Sequence, residues 1–202
     1  MLCHNVSGEE LLLGAVVFVD WELSILESIR LATDSDVFRH VMVAVSTIGN
    51  AGAVWIALAV VLLAFQKTRL AGLTVSVSLL LSLIFCNLTL KPAVERLRPC
   101  DISDQLTQII PCPTDFSFPS GHTSAAFAAA VAVMFFFPKY GSLALVLAAV
   151  MAFSRLFLFV HFPSDVLFGL VLGSTCALTA FGAVRFFCTV LLTKFRRDRH
   201  LG

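Results

Sequence analysis

Two histidines in this sequence stand where apolar segments meet short polar breaks. His122 ends a Pro-Ser-Gly-His tetrapeptide, and His161 lies four residues before Asp165. A neutral imidazole can attack phosphorus as a nucleophile, and a second imidazole can move the protons that the reaction requires. A carboxylate at the i+4 position can hold the other ring nitrogen and fix its tautomer. The pattern predicts His161 as nucleophile, His122 as general acid and then base, and Asp165 as the partner of His161.

Three basic residues accompany the histidines in the same short clusters. Lys91 and Arg98 lie in Lys-Pro-Ala-Val-Glu-Arg-Leu-Arg-Pro, and Arg155 precedes His161 by six residues. A transferring phosphoryl group carries negative charge on several oxygens, so its site needs fixed cations and hydrogen-bond donors. Arginine can hold two phosphate oxygens at once, whereas lysine acts as a point charge. A single basic residue could be an anchor at a membrane edge, but three in these clusters favour a phosphate site.

Ser120 and Gly121 open an apolar segment that is predicted to be a helix. The free N–H groups at a helix N-terminus bind anions, and glycine lets the backbone approach phosphate oxygens closely. The Ser120 hydroxyl can cap the helix or donate to the phosphate. Both residues are therefore predicted to bind phosphate. The sequence shows no carboxylate cluster suited to Mg²⁺, so we expect no metal and no cofactor.

The composition indicates that these residues are positioned by membrane helices. Hydrophobic residues make up 58% of the 202 residues and charged residues 13%, and the mean hydropathy is +0.93. A soluble domain needs more polar surface, and several segments are long enough to cross a hydrocarbon layer of about 30 Å. The net charge of +1 gives no indication of a nucleic-acid partner.

Apolar runs separated by polar breaks predict an all-α membrane protein with a bundle of about six transmembrane helices. The runs are 37–48, 51–65, 70–90, 120–137, 142–160 and 164–190. The first two are expected to form a tight pair. Together they define a transmembrane phosphatase domain over 37–192, followed by a basic cytoplasmic tail over 193–202.

Residues 1–36 are predicted to form an N-terminal amphipathic segment in the membrane interface. Acidic residues, among them Asp20, Glu22 and Glu27, interrupt its apolar residues and argue against a span. A first spanning helix remains the alternative. Glu95 and Arg96, which have no motif role, are interpreted as interfacial charges.

The distribution of basic residues predicts the orientation in the plasma (inner) membrane. Lys91, Ser120 and His161 fall at one face, whereas Lys67, Lys139 and the basic tail fall at the other. Positive residues outside the motifs concentrate on the second face, which the positive-inside tendency places in the cytoplasm. The site would then face the extracytoplasmic side of this multi-pass protein.

The three clusters together resemble those of a known family. Residues 91–99 match a K-x6-R-P motif, residues 119–122 match P-S-G-H, and residues 154–165 match S-R-x5-H-x3-D. This order and spacing resemble the type 2 phosphatidic acid phosphatase superfamily. The resemblance implies a six-helix membrane core, a phosphohistidine at the position of His161 and an acid role for His122.

The substrate expected from this resemblance is a lipid diphosphate, most specifically undecaprenyl diphosphate, which would be converted to undecaprenyl phosphate. The alternative is a lipid monophosphate such as phosphatidic acid or phosphatidylglycerol phosphate. A catalytically silent lipid-binding scaffold is a third hypothesis, although no motif residue is missing. A transporter or channel would carry ionisable residues at mid-membrane, and the spans hold almost none. The oligomeric state is left open.

Cys100 and Cys112 flank the polar loop between the first two motifs. They can pair if the loop faces an oxidising compartment. Spacing alone does not fix their geometry, so the disulfide remains open from the sequence.

Overall fold

The computed structural model describes residues 8–33, 35–103 and 107–200, with side chains described over 19–33, 35–103 and 107–190. All regular structure in these ranges is helical. The helices are α1 (Gly8–Thr33), α2 (Asp36–Ile48), α3 (Ala53–Ala64), α4 (Arg69–Ser82), α5 (Lys91–Val94), α6 (Pro99–Ile102), α7 (Gly121–Met134), α8 (Pro138–Phe157) and α9 (Pro163–His200). A π-helical turn, Leu83–Leu90, joins α4 to α5.

The helices confirm an all-α membrane protein, but not the count of six spans. Within the described residues, three stretches are long and apolar enough to cross a membrane: Arg69–Ile102, Pro138–Phe157 and Pro163–Val190. Helices α2 and α3 would add a fourth if they form one broken span. They meet at a bend of 48° across the turn Asn50–Gly52, where Ala51 has a φ of 52°. Helix α7 is apolar but only 14 residues long.

Helix α7 lies at the centre of the bundle and is built from small residues. Its buried alanines allow α4, α8 and α9 to approach closely. The Ser78 hydroxyl donates to the Ala128 carbonyl (3.1 Å), and the Ser82 and Ser124 hydroxyls are 2.7 Å apart. On the other side, Gly173 of α9 faces the Ser124 carbonyl. This packing holds the N-terminus of α7, and with it His122, in a fixed place.

Gly173→Ala is expected to destabilise the bundle, because a Cβ there would lie 2.2 Å from the Ser124 carbonyl oxygen. Overpacking of this kind costs about 1–3 kcal/mol. Gly182→Ala is the matched control on the same helix, since a Cβ at Gly182 meets nothing within 4 Å. Thermal unfolding in detergent should show a lower midpoint for the first variant alone. Equal midpoints for both variants would show that α7 and α9 are not in this close contact.

Helix α1 turns one face toward the loop between α8 and α9. Glu22, Leu26 and Arg30, spaced four residues apart, are all buried. The Arg30 guanidinium donates to the carbonyls of Phe157 (3.1 Å) and Thr107 (3.0 Å). Glu22, one of the acidic residues that suggested an interfacial helix, is therefore inside the protein, and so is Arg30. The placement of α1 in the membrane interface stays a prediction.

Candidate active site

A cavity of about 960 Å³ opens where the three sequence clusters meet. Its polar lining comes from the ends of α5, α7 and α8 and from the neighbouring loops. It includes Lys91, Arg98, Asp115, His122, Arg155 and His161. The cavity continues along apolar residues such as Val43, Ile56 and Leu83. The structure thus brings six of the eight predicted site residues, Gly121 among them, to one polar pocket with an apolar extension.

His161 lies in the loop between α8 and α9 and is 1% exposed. Its Nε2 is 3.1 Å from Nη1 of Arg98, and its Nδ1 is 3.6 Å from Oδ2 of Asp165. Burial lowers the pKa of His161 to about 3; the charges of Arg98 and Arg155 act in the same direction, and Asp165 opposes them. The ring is therefore neutral at pH 7. With its proton on Nδ1, it has a lone pair on Nε2 beside Arg98.

Asp165 lies behind His161 and does not line the cavity. Its Oδ2 accepts from the Phe162 backbone N–H (2.9 Å) and the Ser117 hydroxyl (2.5 Å). Its Oδ1 accepts from Arg96 (2.7 Å). The Asp165 carbonyl also accepts from the Ser120 N–H (3.1 Å), which ties the second motif to the third. The carboxylate is held on both oxygens, so its position relative to His161 is fixed.

Arg98 is fixed by several acceptors at once. It donates to the Val160 carbonyl (2.6 Å), to the Asp115 carbonyl (2.8 Å) and to the Asp115 carboxylate (2.6 Å). Only 2% of the Arg98 side chain is exposed. The other two N–H groups face His161 Nε2 (3.1 Å) and the Phe116 carbonyl (3.3 Å), so all five donors of the guanidinium have an acceptor. An anion can therefore bind Arg98 only by displacing one of these acceptors.

Asp115 joins two of the predicted phosphate ligands. One oxygen accepts from Arg98 and the other from the Lys91 ammonium group. Burial alone would raise the pKa of Asp115, but the bonds and charges of Lys91 and Arg98 outweigh it and lower that pKa to about 2. The sequence analysis assigned Asp115 no role. An incoming phosphate would compete with this carboxylate for both cations.

The first turn of α7 places His122 and Gly121 at the cavity. Ser120 is the N-cap: its hydroxyl accepts from the Thr123 N–H at 3.5 Å and lies 2.9 Å from the Thr123 hydroxyl. It is buried and does not line the cavity, so its contact with phosphate stays a prediction. A Cβ on Gly121 would lie 2.9 Å from the Asn87 side-chain oxygen. A larger residue at 121 would therefore require the Asn87 side chain to shift.

Two polar residues before α4 hold groups of the second and third motifs. Asn50 Oδ1 is 3.0 Å from His122 Nε2, and the Ser46 hydroxyl accepts from the Arg155 guanidinium. Neither residue was predicted from the sequence, because neither belongs to a motif or carries a charge. Asn50 could have been noticed from its position in the break between two apolar runs, whereas Ser46 lies inside a run.

The loop between Arg98 and Asp115 is closed by a Cys100–Cys112 disulfide with a Cα–Cα distance of 6.0 Å. The sequence left this pairing open. Among the described residues, the one group of three close potential metal ligands contains both cysteines, with Asp101. Because their sulfurs are bonded to each other, this group lacks the free thiolates that a metal would bind.

Comparison with known proteins agrees with this geometry. The family model of the PAP2 superfamily matches residues 71–189, which contain all three motifs. The chain therefore belongs to the PAP2 superfamily, a family of lipid phosphatases, as the motifs indicated.

Two solved structures share the fold, and a named relative is similar in sequence. LpxE from Aquifex aeolicus superposes with a TM-score of 0.70 at 22% identity, covering 79% of this chain and 94% of that one. The first transmembrane PAP2-type phosphatidylglycerolphosphate phosphatase from Bacillus subtilis gives 0.64 at 26% identity, with coverages of 89% and 92%. An undecaprenyl-diphosphatase from Sulfolobus acidocaldarius is 34% identical over 122 residues, 60% of this chain and 59% of that relative.

Proposed function

We propose that this protein hydrolyses a lipid diphosphate, specifically undecaprenyl diphosphate to undecaprenyl phosphate, through a phosphohistidine intermediate. The observation that carries the proposal is the position of His161 Nε2, which lies 3.1 Å from Arg98 Nη1 in a cavity that Lys91 and Arg155 also line. A nucleophile next to several fixed cations is the arrangement that phosphoryl transfer requires.

In the first step, the terminal phosphate binds to Lys91, Arg98 and Arg155 and replaces Asp115 as the partner of the first two. Nε2 of His161 forms a bond to phosphorus while the bond from phosphorus to the leaving oxygen breaks. His122 enters this step as an imidazolium, in the presence of the anionic substrate, donates a proton to that oxygen and becomes neutral. Asp165 stabilises the positive charge that develops on the His161 ring, as the carboxylate does in other acid–histidine pairs.

In the second step, His122 takes a proton from water. The water oxygen bonds to phosphorus, the bond between phosphorus and Nε2 breaks, and inorganic phosphate leaves. The three cations supply the charge stabilisation that a divalent metal provides in other phosphatases. We therefore propose that turnover needs no metal and no cofactor.

The choice of a lipid diphosphate rests on the relative from Sulfolobus acidocaldarius. The apolar extension along Val43, Ile56 and Leu83 suits the hydrocarbon chain of any lipid phosphate. A lipid monophosphate is the second candidate, because the phosphatidylglycerolphosphate phosphatase from Bacillus subtilis shares the fold.

We also propose that the cavity faces the extracytoplasmic side of the plasma membrane, as the basic residues predict.

The test is phosphate release by the purified protein in detergent. Undecaprenyl diphosphate and phosphatidic acid are compared at equal concentration, with and without EDTA. We expect a strong preference for the diphosphate and no loss with EDTA. A preference for phosphatidic acid would establish the second candidate. A complete loss with EDTA that Mg²⁺ restores would overturn the metal-free mechanism.

A further inference from the structure

A buried acid from the N-terminal helix reaches the back of the site. Glu22 is 0% exposed, and its Oε2 accepts from the guanidinium of Arg96. Its Oε1 accepts from the Ser164 backbone N–H at 2.9 Å. The same guanidinium donates to Asp165 Oδ1 and to the Ser164 hydroxyl, both at 2.7 Å. Glu22, Arg96 and Asp165 therefore form a continuous chain that ends at His161, in which both carboxylates are fully buried and Arg96 is partly exposed.

This chain includes a residue outside the matched family region, which begins at residue 71. Contacts on both sides of Glu22 hold this part of helix α1 against the site. Leu26, one turn further along α1, is fully buried with Phe157 and Phe162. The Arg96 guanidinium lies over the Phe162 ring, 3.9 Å from its centroid. Helix α1 is thus bound to the segment that carries His161 by both apolar packing and ionic contacts.

Charge balance explains what Glu22 can do there. With Arg96 alone, the negative charge of Asp165 would be neutralised by the adjacent guanidinium. The second carboxylate restores a net negative charge to the group behind His161. It also occupies one Arg96 nitrogen, so that Asp165 is contacted by Arg96 through Oδ1 only. Oδ2 is left for Ser117, the Phe162 N–H and Nδ1 of His161.

We propose that Glu22 is a positioning residue for His161, acting through Arg96 and Asp165. It holds the carboxylate in place and stabilises the positive charge that develops on the imidazole as its bond to phosphorus forms. This inference rests on the proposed function. Because Glu22 does not line the cavity, its contribution belongs to the chemical step and not to substrate binding.

The test uses Glu22→Gln, which keeps the shape and still offers an oxygen to the Ser164 N–H. We expect kcat to fall by about 10- to 100-fold, as when outer-shell partners of histidine ligands are removed, with KM changed less than about threefold. Glu22→Asp, which keeps the charge, should recover part of kcat. Glu27→Gln, on the same helix, is the matched control. Vanadate, a mimic of the phosphoryl group in transfer, would use the same charge stabilisation at His161, so its affinity, measured by calorimetry, should fall for Glu22→Gln.

An unchanged kcat for Glu22→Gln in a protein of normal stability would overturn the inference while leaving the proposed function intact. A loss that is equal in Glu22→Gln and Glu22→Asp, with lowered thermal stability in both, would show a structural role and also overturn it. The double variant Arg96→Gln/Glu22→Gln tests the path through Arg96. A fall in kcat smaller than the product of the two single falls supports this path, and a fall equal to that product contradicts it. A wild-type protein that neither hydrolyses the lipids nor binds vanadate would instead refute the proposed function.

Discussion

Replacement of His161 by alanine is expected to reduce turnover by at least about 10³-fold, because under the proposed function the covalent intermediate forms on its Nε2. The side chain is buried, so alanine also leaves a cavity. His161→Asn is the companion variant, since its amide can still interact with Asp165 but offers no nucleophilic nitrogen. Phosphate release and thermal unfolding are measured for both. We expect activity to be lost in both and folding to be retained at least in the asparagine variant.

His40→Ala is the matched control, because His40 is exposed on α2 and its ring contacts only a carbonyl of its own helix among the bonds described. It should keep wild-type turnover. The wild type should also acquire label from terminally ³²P-labelled substrate after rapid quenching at alkaline pH, where phosphohistidine is stable. Activity within tenfold of the wild type in both His161 variants would exclude His161 as the nucleophile.

Arg98→Lys is expected to lower kcat/KM by about 10²- to 10³-fold, the range for loss of one preorganised donor to a developing charge. The guanidinium contacts Val160, Asp115 and His161 simultaneously. An ammonium group is a point charge and cannot keep this geometry while also binding phosphate. Steady-state kinetics on the preferred lipid would measure the effect.

Arg185→Lys provides the same chemical change at an exposed position on α9, away from the cavity, and should leave kcat/KM unchanged. If Arg98→Lys also retains full activity, the planar guanidinium with its several N–H donors has no catalytic role, and a positive charge at this position is sufficient. If both variants lose activity together with stability, the loss is not specific to phosphate binding.

Much of the site could be predicted because its residues are close in sequence within each motif. The four-residue step from His161 to Asp165 is a local feature, and so is the helix start at Ser120. Successive membrane helices run in alternating directions, and this predicted that the three motifs lie at the same membrane face. Hydropathy likewise identified an all-α membrane protein. Of its six runs, three or four are confirmed as long enough to span within the part of the chain that the structure describes.

The remaining contacts join residues that are far apart in the chain, and no local pattern encodes them. Glu22 and Arg96 were interpreted as interfacial charges, since charged residues in a single sequence give no sign of a partner 74 positions away. Asp115 had the same ambiguity. The bend at Asn50–Gly52 depends on a positive φ at Ala51, which is uncommon for a residue other than glycine and is not indicated by its type.

The carboxylate of Asp115 has a consequence for product release. Inorganic phosphate carries a charge similar to that of the terminal phosphate of the substrate, so a pocket built only of cations would retain it and slow each cycle. Asp115 is an internal anion, already ionised and within reach of both Lys91 and Arg98. It can return to these cations as phosphate departs. Under the proposed function, Asp115 therefore lowers the affinity of the site for its substrate and, for the same reason, weakens inhibition by the phosphate product.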